Sequence, residues 1–266
     1  MNSEEMNIVA VIPGRRASTR LIEKPLRDIN GKTLIQRVWE QSTKVKGLSA
    51  VYIATDDDEI ASISRNFGAE VLMTSPEIPS GSARVSAAIR ILGVPVDIAI
   101  NIQGDMPFIE PRVVESAISF FKENYDKFHV VTIAIPIRDL GEFLKPDAVK
   151  VVIGEEGQAL YFSRAPIPHP RDGDRWEVLP EDDQAFYGLK HIGLYLFRPE
   201  ALKELDDWSV TPLEKVEKLE QLKLLDRGYK IGVCIVPREL MVRSIEVDTE
   251  SDLKAAQALA AEQEGR

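Results

Sequence analysis

The chain opens on Ile8–Ile12, five apolar residues that end at Pro13-Gly14, and the same pattern of short apolar run and amphipathic stretch recurs to residue 102. Ala50–Ala54 ends in Thr55-Asp56-Asp57-Asp58, Glu70–Met73 is a further short run, and Val96–Ile102 leads into Gln103-Gly104-Asp105. Runs of this length, rich in β-branched residues and bounded by turn formers, predict strands rather than helices. Between them, Leu34, Ile35, Val38 and Trp39, then Ile60, Ile63 and Phe67, then Val85, Ala88, Ile89 and Leu92 fall at helical spacing. Strand and helix in alternation leave little choice of architecture. Consecutive strands joined through helices run parallel, and a parallel sheet needs helices on both faces. The expected class is therefore α/β, a mostly parallel three-layer sandwich.

Such sheets gather ligands at the carboxyl ends of their strands. The polar motifs lie there, at Arg15 to Lys24, Thr55 to Asp58 and Gln103 to Asp105. The first places Arg15, Arg16, Arg20 and Lys24 within ten residues, in a chain whose formal net charge is −10. A cationic, amide-rich loop delivered by a buried strand suits a polyphosphate, although a solvated surface turn is the plainer reading. The acidic balance and 7% aromatic content argue against nucleic acid as a partner. Cys234 is the sole cysteine, so a disulfide framework and a cysteine zinc cluster are excluded. Nothing in the sequence has the length of an apolar membrane span, and Met1–Asn7 is too polar for a secretion signal, so a cytoplasmic protein without membrane insertion is expected.

After Phe128 the rhythm changes. Val130–Ile137, Val149–Ile153, Ala159–Ser163 and His191–Phe197 read as strands, with Gly154-Glu155-Glu156-Gly157 a hairpin turn and Pro166–Asp183 an exposed loop. This block, 130–204, reads as an antiparallel insertion into a core made of 1–129 and 205–266. Thr211-Pro212-Leu213-Glu214 is a capping box opening a helix through Leu219, Leu222 and Leu225; a strand at Lys230–Val236 and a terminal helix from Glu250 follow.

Pro13-Gly14-Arg15-Arg16-Ala17-Ser18-Thr19-Arg20-Leu21 with Lys24-Pro25-Leu26 resembles the signature of the 3-deoxy-manno-octulosonate (Kdo) cytidylyltransferases. Ala54-Thr55-Asp56-Asp57, Thr74-Ser75-Pro76, Ser80-Gly81-Ser82 with Arg84, Asn101–Asp105, Ala159–Pro168, His191–Tyr195, Glu217–Leu222 and Val247–Glu250 follow in that family's order, across nearly the whole chain. The resemblance implies a Rossmann-like nucleotide-diphospho-sugar transferase fold whose insertion mediates homodimerisation. It implies an enzyme that activates a 2-keto-3-deoxy sugar acid: CTP and Kdo give CMP-Kdo and pyrophosphate, for lipopolysaccharide or capsule synthesis. It implies Mg²⁺ held by Asp105 and Asp248, and Arg15, Lys24 and Asp105 as the catalytic set. Ser18 and Thr19 join Arg15 and Lys24 on the phosphates, while Ser80, Gly81, Arg84 and Gln103 match positions around the nucleoside. Arg164, His191, Tyr195, Glu220 and Gln221 match the sugar-acid positions; a guanidinium suits a carboxylate, and an amide suits hydroxyls.

Each of these residues also has a plain structural reading. Asp248 could be a helix N-cap, Asp105 a turn residue, His191 a core histidine, and Glu220 and Gln221 are solvated helix positions on periodicity alone. Four changes depart from the family pattern: Ile22-Glu23 stands where Pro-Gly is usual, Ala83 and Met106 replace acidic residues, and Arg16 replaces an aromatic. An amino-substituted Kdo or another ulosonic acid is an alternative substrate, and a non-catalytic sugar- or nucleotide-binding relative an alternative function.

Overall fold

The computed structural model describes residues 6–16, 20–169, 171 and 187–265. By contact it divides into two compact units: Met1–Ile118, Leu196–Asp206 and Leu240–Arg266 form the first, Ser119–Tyr195 and Asp207–Glu239 the second. In chain order the elements are β1 (Ile8–Gly14), β2 (Asp28–Ile29), β3 (Lys32–Thr33), α1 (Leu34–Ser42), β4 (Ala50–Thr55), α2 (Asp58–Asn66), β5 (Glu70–Met73), α3 (Gly81–Leu92), β6 (Ile98–Asn101) and α4 (Pro111–Glu123). They continue as β7 (Val130–Ile137), α5 (Leu140–Leu144), β8 (Lys150–Ile153), β9 (Ala159–Ser163), β10 (Gly188–Phe197), α6 (Pro199–Asp207), α7 (Pro212–Glu217), α8 (Gln221–Asp226), β11 (Ile231–Ile235) and α9 (Glu250–Glu264).

In the first unit β1 is central, with β4 on one side, β6 on the other and β5 outside β4, every pairing parallel. Ile8 to Ile12 are buried, as a strand flanked on both edges and both faces must be. The helices start where capping chemistry allows: Thr33, Asp57 and Ser80 each accept a hydrogen bond from the amide three residues on. The order β6-β1-β4-β5 makes the chain step outward through β4 and β5, then return to the other flank of β1. Right-handed crossovers then place α1 and α2 on one face and α3 on the opposite one. The crevice that opens at such a reversal lies between the carboxyl ends of β1 and β6.

Backbone there runs close to backbone. A Cβ built on Gly104 would stand 2.6 Å from the carbonyl oxygen of Pro13, so only glycine lets the loop after β6 lie against the end of β1. A small core of Leu21, Ile29, Leu34, Phe108, Val247, Leu253, Ala256 and Ala260 joins the loop after β1, the β2–β3 hairpin, the loop after β6 and α9. The amide of Val247 donates to the carbonyl of Asp105 at 2.9 Å, which fixes Asp248 beside the β6 loop.

The second unit pairs β11 parallel to β7, sets β7 beside β10, and runs β8 antiparallel to both β10 and β9. The expected boundaries shift here. Residues 207–239 cluster with the second unit, because β11 pairs with β7 along its whole length. Within 130–204 the pairings of β8 with β9 and β10 are antiparallel as expected, and β11, from beyond that block, adds a parallel pairing to the unit. The capping box at Thr211 and Glu214 forms, but the helix it opens stops at Lys218 in the left-handed region (φ 56°), and α8 starts afresh at Gln221. Most of the Pro166–Asp183 stretch lies outside the described residues.

Gly104→Ala is expected to lower the unfolding free energy by about 1–3 kcal/mol, since backbone and not a flexible side chain must give way. Urea denaturation measures this, and a loss below about 0.5 kcal/mol, the range of an ordinary surface substitution, would contradict the close approach.

Candidate active site

A cavity of about 520 Å³ opens in the first unit at the reversal between β1 and β6. The end of β1 contributes Pro13 and the loop after it Arg15, Arg20, Lys24 and Pro25; the start of α3 contributes Ser80, Gly81 and Arg84. Gln103, Gly104 and Asp105 come from the loop after β6, and Asp248 from the entry to α9. Four cations face two carboxylates, a net positive cavity in a net acidic chain. Its volume is that of a small-molecule site, and the N-terminus of α3 adds the positive end of a helix dipole.

Lys24 is the centre of the charge pattern. Its Nζ donates to Asp105 Oδ2 and Asp248 Oδ1, both at 2.8 Å, and Arg20 reaches Asp248 Oδ2 at 3.0 Å. Burial opposes the ammonium charge, but Asp105 and then Asp248 outweigh it, so the Lys24 pKa lies above its ordinary value. Asp248 is not the helix cap. Thr249 caps α9 in a reciprocal box with Asp252, which leaves the Asp248 carboxylate for the cavity. Arg15 donates to the carbonyl of Pro79 at 3.2 Å. Ser80 caps α3, and Arg84, almost fully buried, donates to Thr74 Oγ1 at 2.5 Å and lies 3.4 Å from Asp56. Gln103 and Gly81 line the cavity as expected. Ser18 and Thr19 lie outside the described residues.

The departures resolve in the same loop. Glu23 adopts φ 54° and ψ 33°, a conformation glycine takes freely and other residues at a cost of about 1–3 kcal/mol. Its carboxylate pairs with Arg16, which also reaches Glu59 at 2.8 Å and Asp57 at 3.4 Å. Neither Arg16 nor Glu23 lines the cavity. Met106 is buried core.

The sugar-acid candidates all belong to the second unit. Thr132 Oγ1 lies 2.9 Å from His191 Nε2, and the His191 ring meets Phe162 edge-on and Tyr195 at 5.4 Å between centroids. Burial pushes His191 down to about 3 and, with the Glu220 charge second, holds the Tyr195 phenol well above its ordinary value. Both are neutral hydrogen-bonding groups near pH 7. Gln221 is buried rather than solvated, since α8 begins at it and Glu220 stands just before. Arg164 follows β9: its amide donates to Glu217 Oε2 at 3.0 Å, its Nε to the Glu217 carbonyl at 2.8 Å, and its Nη1 to the Pro146 carbonyl at 3.2 Å.

Sequence analysis named Arg20, Asp56 and Glu217 only as members of their motifs and did not single out Lys150. Arg20 stood among the four cations of the first loop without being separated from them. For the others only the pairing partner reveals the role.

A family model described as cytidylyltransferase matches residues 9–231. The 3-deoxy-manno-octulosonate cytidylyltransferase of Geobacter sulfurreducens is 43% identical over 252 residues, 94% of this chain and 97% of its own. An 8-amino-3,8-dideoxy-manno-octulosonate cytidylyltransferase of Shewanella sediminis is 40% identical over 254 residues, 95% of this chain and 98% of its own. A solved structure of CMP:2-keto-3-deoxy-manno-octonic acid synthetase complexed with CTP superposes with a TM-score of 0.85 at 36% identity, covering 97% of this chain and 99% of that one.

His191 gives a pH test. Folded, the imidazole stays neutral down to about pH 3; unfolded, it takes up a proton near 6.5. The unfolded state binds more protons between those values, so this contribution to stability is lost as pH falls from 6.5. NMR of the His191 ring is expected to show no titration from neutral pH down to 5, and His191→Asn to flatten the acid side of the stability curve. A ring titrating near 6.5 would contradict the assignment.

Proposed function

The chain belongs to the cytidylyltransferase family, and from that premise we propose that it transfers the cytidylyl group of CTP to 3-deoxy-manno-octulosonate. The observation that carries this reading is the cationic cavity at the β1–β6 reversal, in a chain 43% identical over 94% of its length to an enzyme named for that reaction. An acceptor hydroxyl attacks the α-phosphorus and gives its proton to water, the bond to the bridging oxygen breaks, and pyrophosphate leaves with the electron pair. Arg15, Lys24 and Arg20 neutralise a triphosphate carrying more charge than any one of them, and fixed cations need no reorganisation as charge moves to the leaving group. Arg84, locked by Thr74 and Asp56, and Gln103 flank the nucleoside.

The donor set suits magnesium. Asp105 and Asp248 both accept from a single ammonium at 2.8 Å, which supports one shared cation position. Magnesium takes oxygen ligands, one or two carboxylates at a time, and leaves its other positions to water and phosphate. Bound there, it would supply positive charge to the leaving pyrophosphate. Lys24 neutralises the same two carboxylates.

In the second unit Arg164 receives the acceptor carboxylate, and His191, Tyr195, Glu220 and Gln221 receive its hydroxyls. Similarity of 40% to an enzyme named for the 8-amino sugar supports that sugar as a second acceptor. The protein acts in the cytoplasm, where CTP is made, in the synthesis of lipopolysaccharide or capsule. No helix among the described residues is long and apolar enough to cross a membrane. It works as a homodimer through the second unit, whose Leu160, Val210 and Val216 are exposed apolar side chains. Light scattering reporting a monomer at micromolar concentration would overturn the dimer.

Pyrophosphate release should require CTP and magnesium, with UTP, GTP and ATP far poorer, and Kdo and 8-amino-Kdo compared side by side. Ligand binding without turnover for any pair would establish the non-catalytic reading instead. Asp105→Ala should cut turnover by roughly a hundredfold or more. Its fold should persist, because the hydrogen bond to Val247 uses the Asp105 backbone carbonyl.

A further inference from the structure

Lys150 opens β8 with no solvent exposure, the one fully buried lysine among the described residues. An ammonium taken out of water is costly unless it is paired or satisfied by hydrogen bonds, and burial lowers the Lys150 pKa. None of the described carboxylates forms an ion pair with it. Nζ donates instead to two backbone carbonyls, Lys145 at 2.9 Å and Arg164 at 2.6 Å.

Those two carbonyls are not arbitrary. Arg164 Nη1 donates to the carbonyl of Pro146, next in the chain to Lys145. Lys150 thus closes a ring: its amine ties the loop before β8 to the residue after β9, and the Arg164 guanidinium ties that residue back to the same loop. Glu217 completes the frame from α7, accepting from Ser163 Oγ at 2.6 Å and from the Arg164 amide. The strand itself is placed to act on both candidate ligand groups. Lys150 stands opposite Ser163 of β9 on one edge and Lys190 of β10 on the other, and the carbonyl of Val149 accepts from the amide of His191 at 2.8 Å. β8 is therefore the strand between the one that delivers Arg164 and the one that carries His191 and Tyr195.

We propose that Lys150 is a positioning residue for the acceptor. Through the carbonyls of Arg164 and Lys145 it sets the direction of the Arg164 guanidinium, so that its planar donors meet the carboxylate of the sugar acid. The guanidinium is only as well aimed as its backbone, and a displacement of about 1 Å at a positioning group can cost on the order of a hundredfold in rate. This inference rests on the reading of Arg164 as the carboxylate ligand.

Steady-state kinetics with Kdo at saturating CTP and magnesium test it. Lys150→Met keeps the apolar stem and removes both donated bonds. Its expected effect is a rise of about tenfold or more in the KM for Kdo, with the KM for CTP within about twofold of the parent. A lysine that merely supports the fold would move both constants or neither. The double variant with Arg164→Gln should match Arg164→Gln alone in Kdo KM, because both remove one function; penalties that multiply would overturn the proposal. So would an unchanged Kdo KM in Lys150→Met. If Lys150→Met does not fold, Lys150→Gln, whose shorter amide cannot span both carbonyls, is held to the same criterion. Failure of both to fold would assign the residue to strand stability and overturn the proposal. Arg164→Gln alone separates the two readings: an unchanged Kdo KM there removes Arg164 from the acceptor site, whereas a raised one beside a normal Lys150→Met removes only the role of Lys150.

Discussion

Everything at the cationic cavity depends on bringing Asp105 and Asp248 to the same ammonium. Their pairs with Lys24 are partly exposed, and pairs of that kind contribute about 0–1 kcal/mol each. Burial of a single Leu or Val side chain contributes about 1.5–3 kcal/mol. Leu21, Leu34, Val247 and Leu253 meet in one small core just beneath, and the Val247–Asp105 backbone bond joins the two loops directly. The magnitudes decide the order of cause: apolar packing places the carboxylates, and Lys24 neutralises charge that packing has already brought together. The electrostatic lock is weak, and the frame beneath it is strongly packed.

Much of this was legible in the chain. The alternation of runs gave the first unit because strand and helix periods are properties of local sequence. The motifs at Arg15–Lys24 and Gln103–Asp105 fell at strand ends for the same reason. Asp248 was legible only through family resemblance, and its plain reading as a cap was displaced by one residue: Thr249 and Asp252 form the box. A capping signal names a turn of helix, but two adjacent candidates differ only in backbone geometry that sequence does not display. The helix expected from Thr211 through Leu225 shows a similar limit. Lys218 breaks it in a left-handed conformation that lysine rarely takes, and the break turns Gln221 from a solvated position into a buried one. No periodicity argument anticipates a break at a residue with good helix propensity.

Arg16 and Glu23 show how two unusual residues can be understood as one change. Taken singly, a carboxylate beside a triphosphate repels it, and an arginine adds one more cation to the loop. In the structure Glu23 takes the backbone conformation expected of glycine and turns its charge onto Arg16, which is held in turn by Asp57 and Glu59. The cavity keeps Arg15, Arg20 and Lys24, and the net charge delivered by the loop is barely altered. The strain at Glu23 is the residue of the exchange.

The two units divide the chemistry by charge. In the first, several cations and two carboxylates line one cavity, and a field of that kind attracts anions over a distance. In the second, His191, Tyr195 and Gln221 are neutral near pH 7, and groups of this kind bind a partner by the placement of donors and acceptors. Neutral hydrogen bonds discriminate by geometry, because a misplaced partner leaves a buried polar group unsatisfied. Glu220 is the one carboxylate of the five candidates, and Arg164 the one permanent cation. That is why so much backbone is spent on holding it, with the carbonyls of Glu217 and Pro146 on its side chain and the Glu217 carboxylate and Lys150 amine on its main chain. An arginine free to swing would attract any anion; an arginine held at four points selects one whose carboxylate arrives in the right plane.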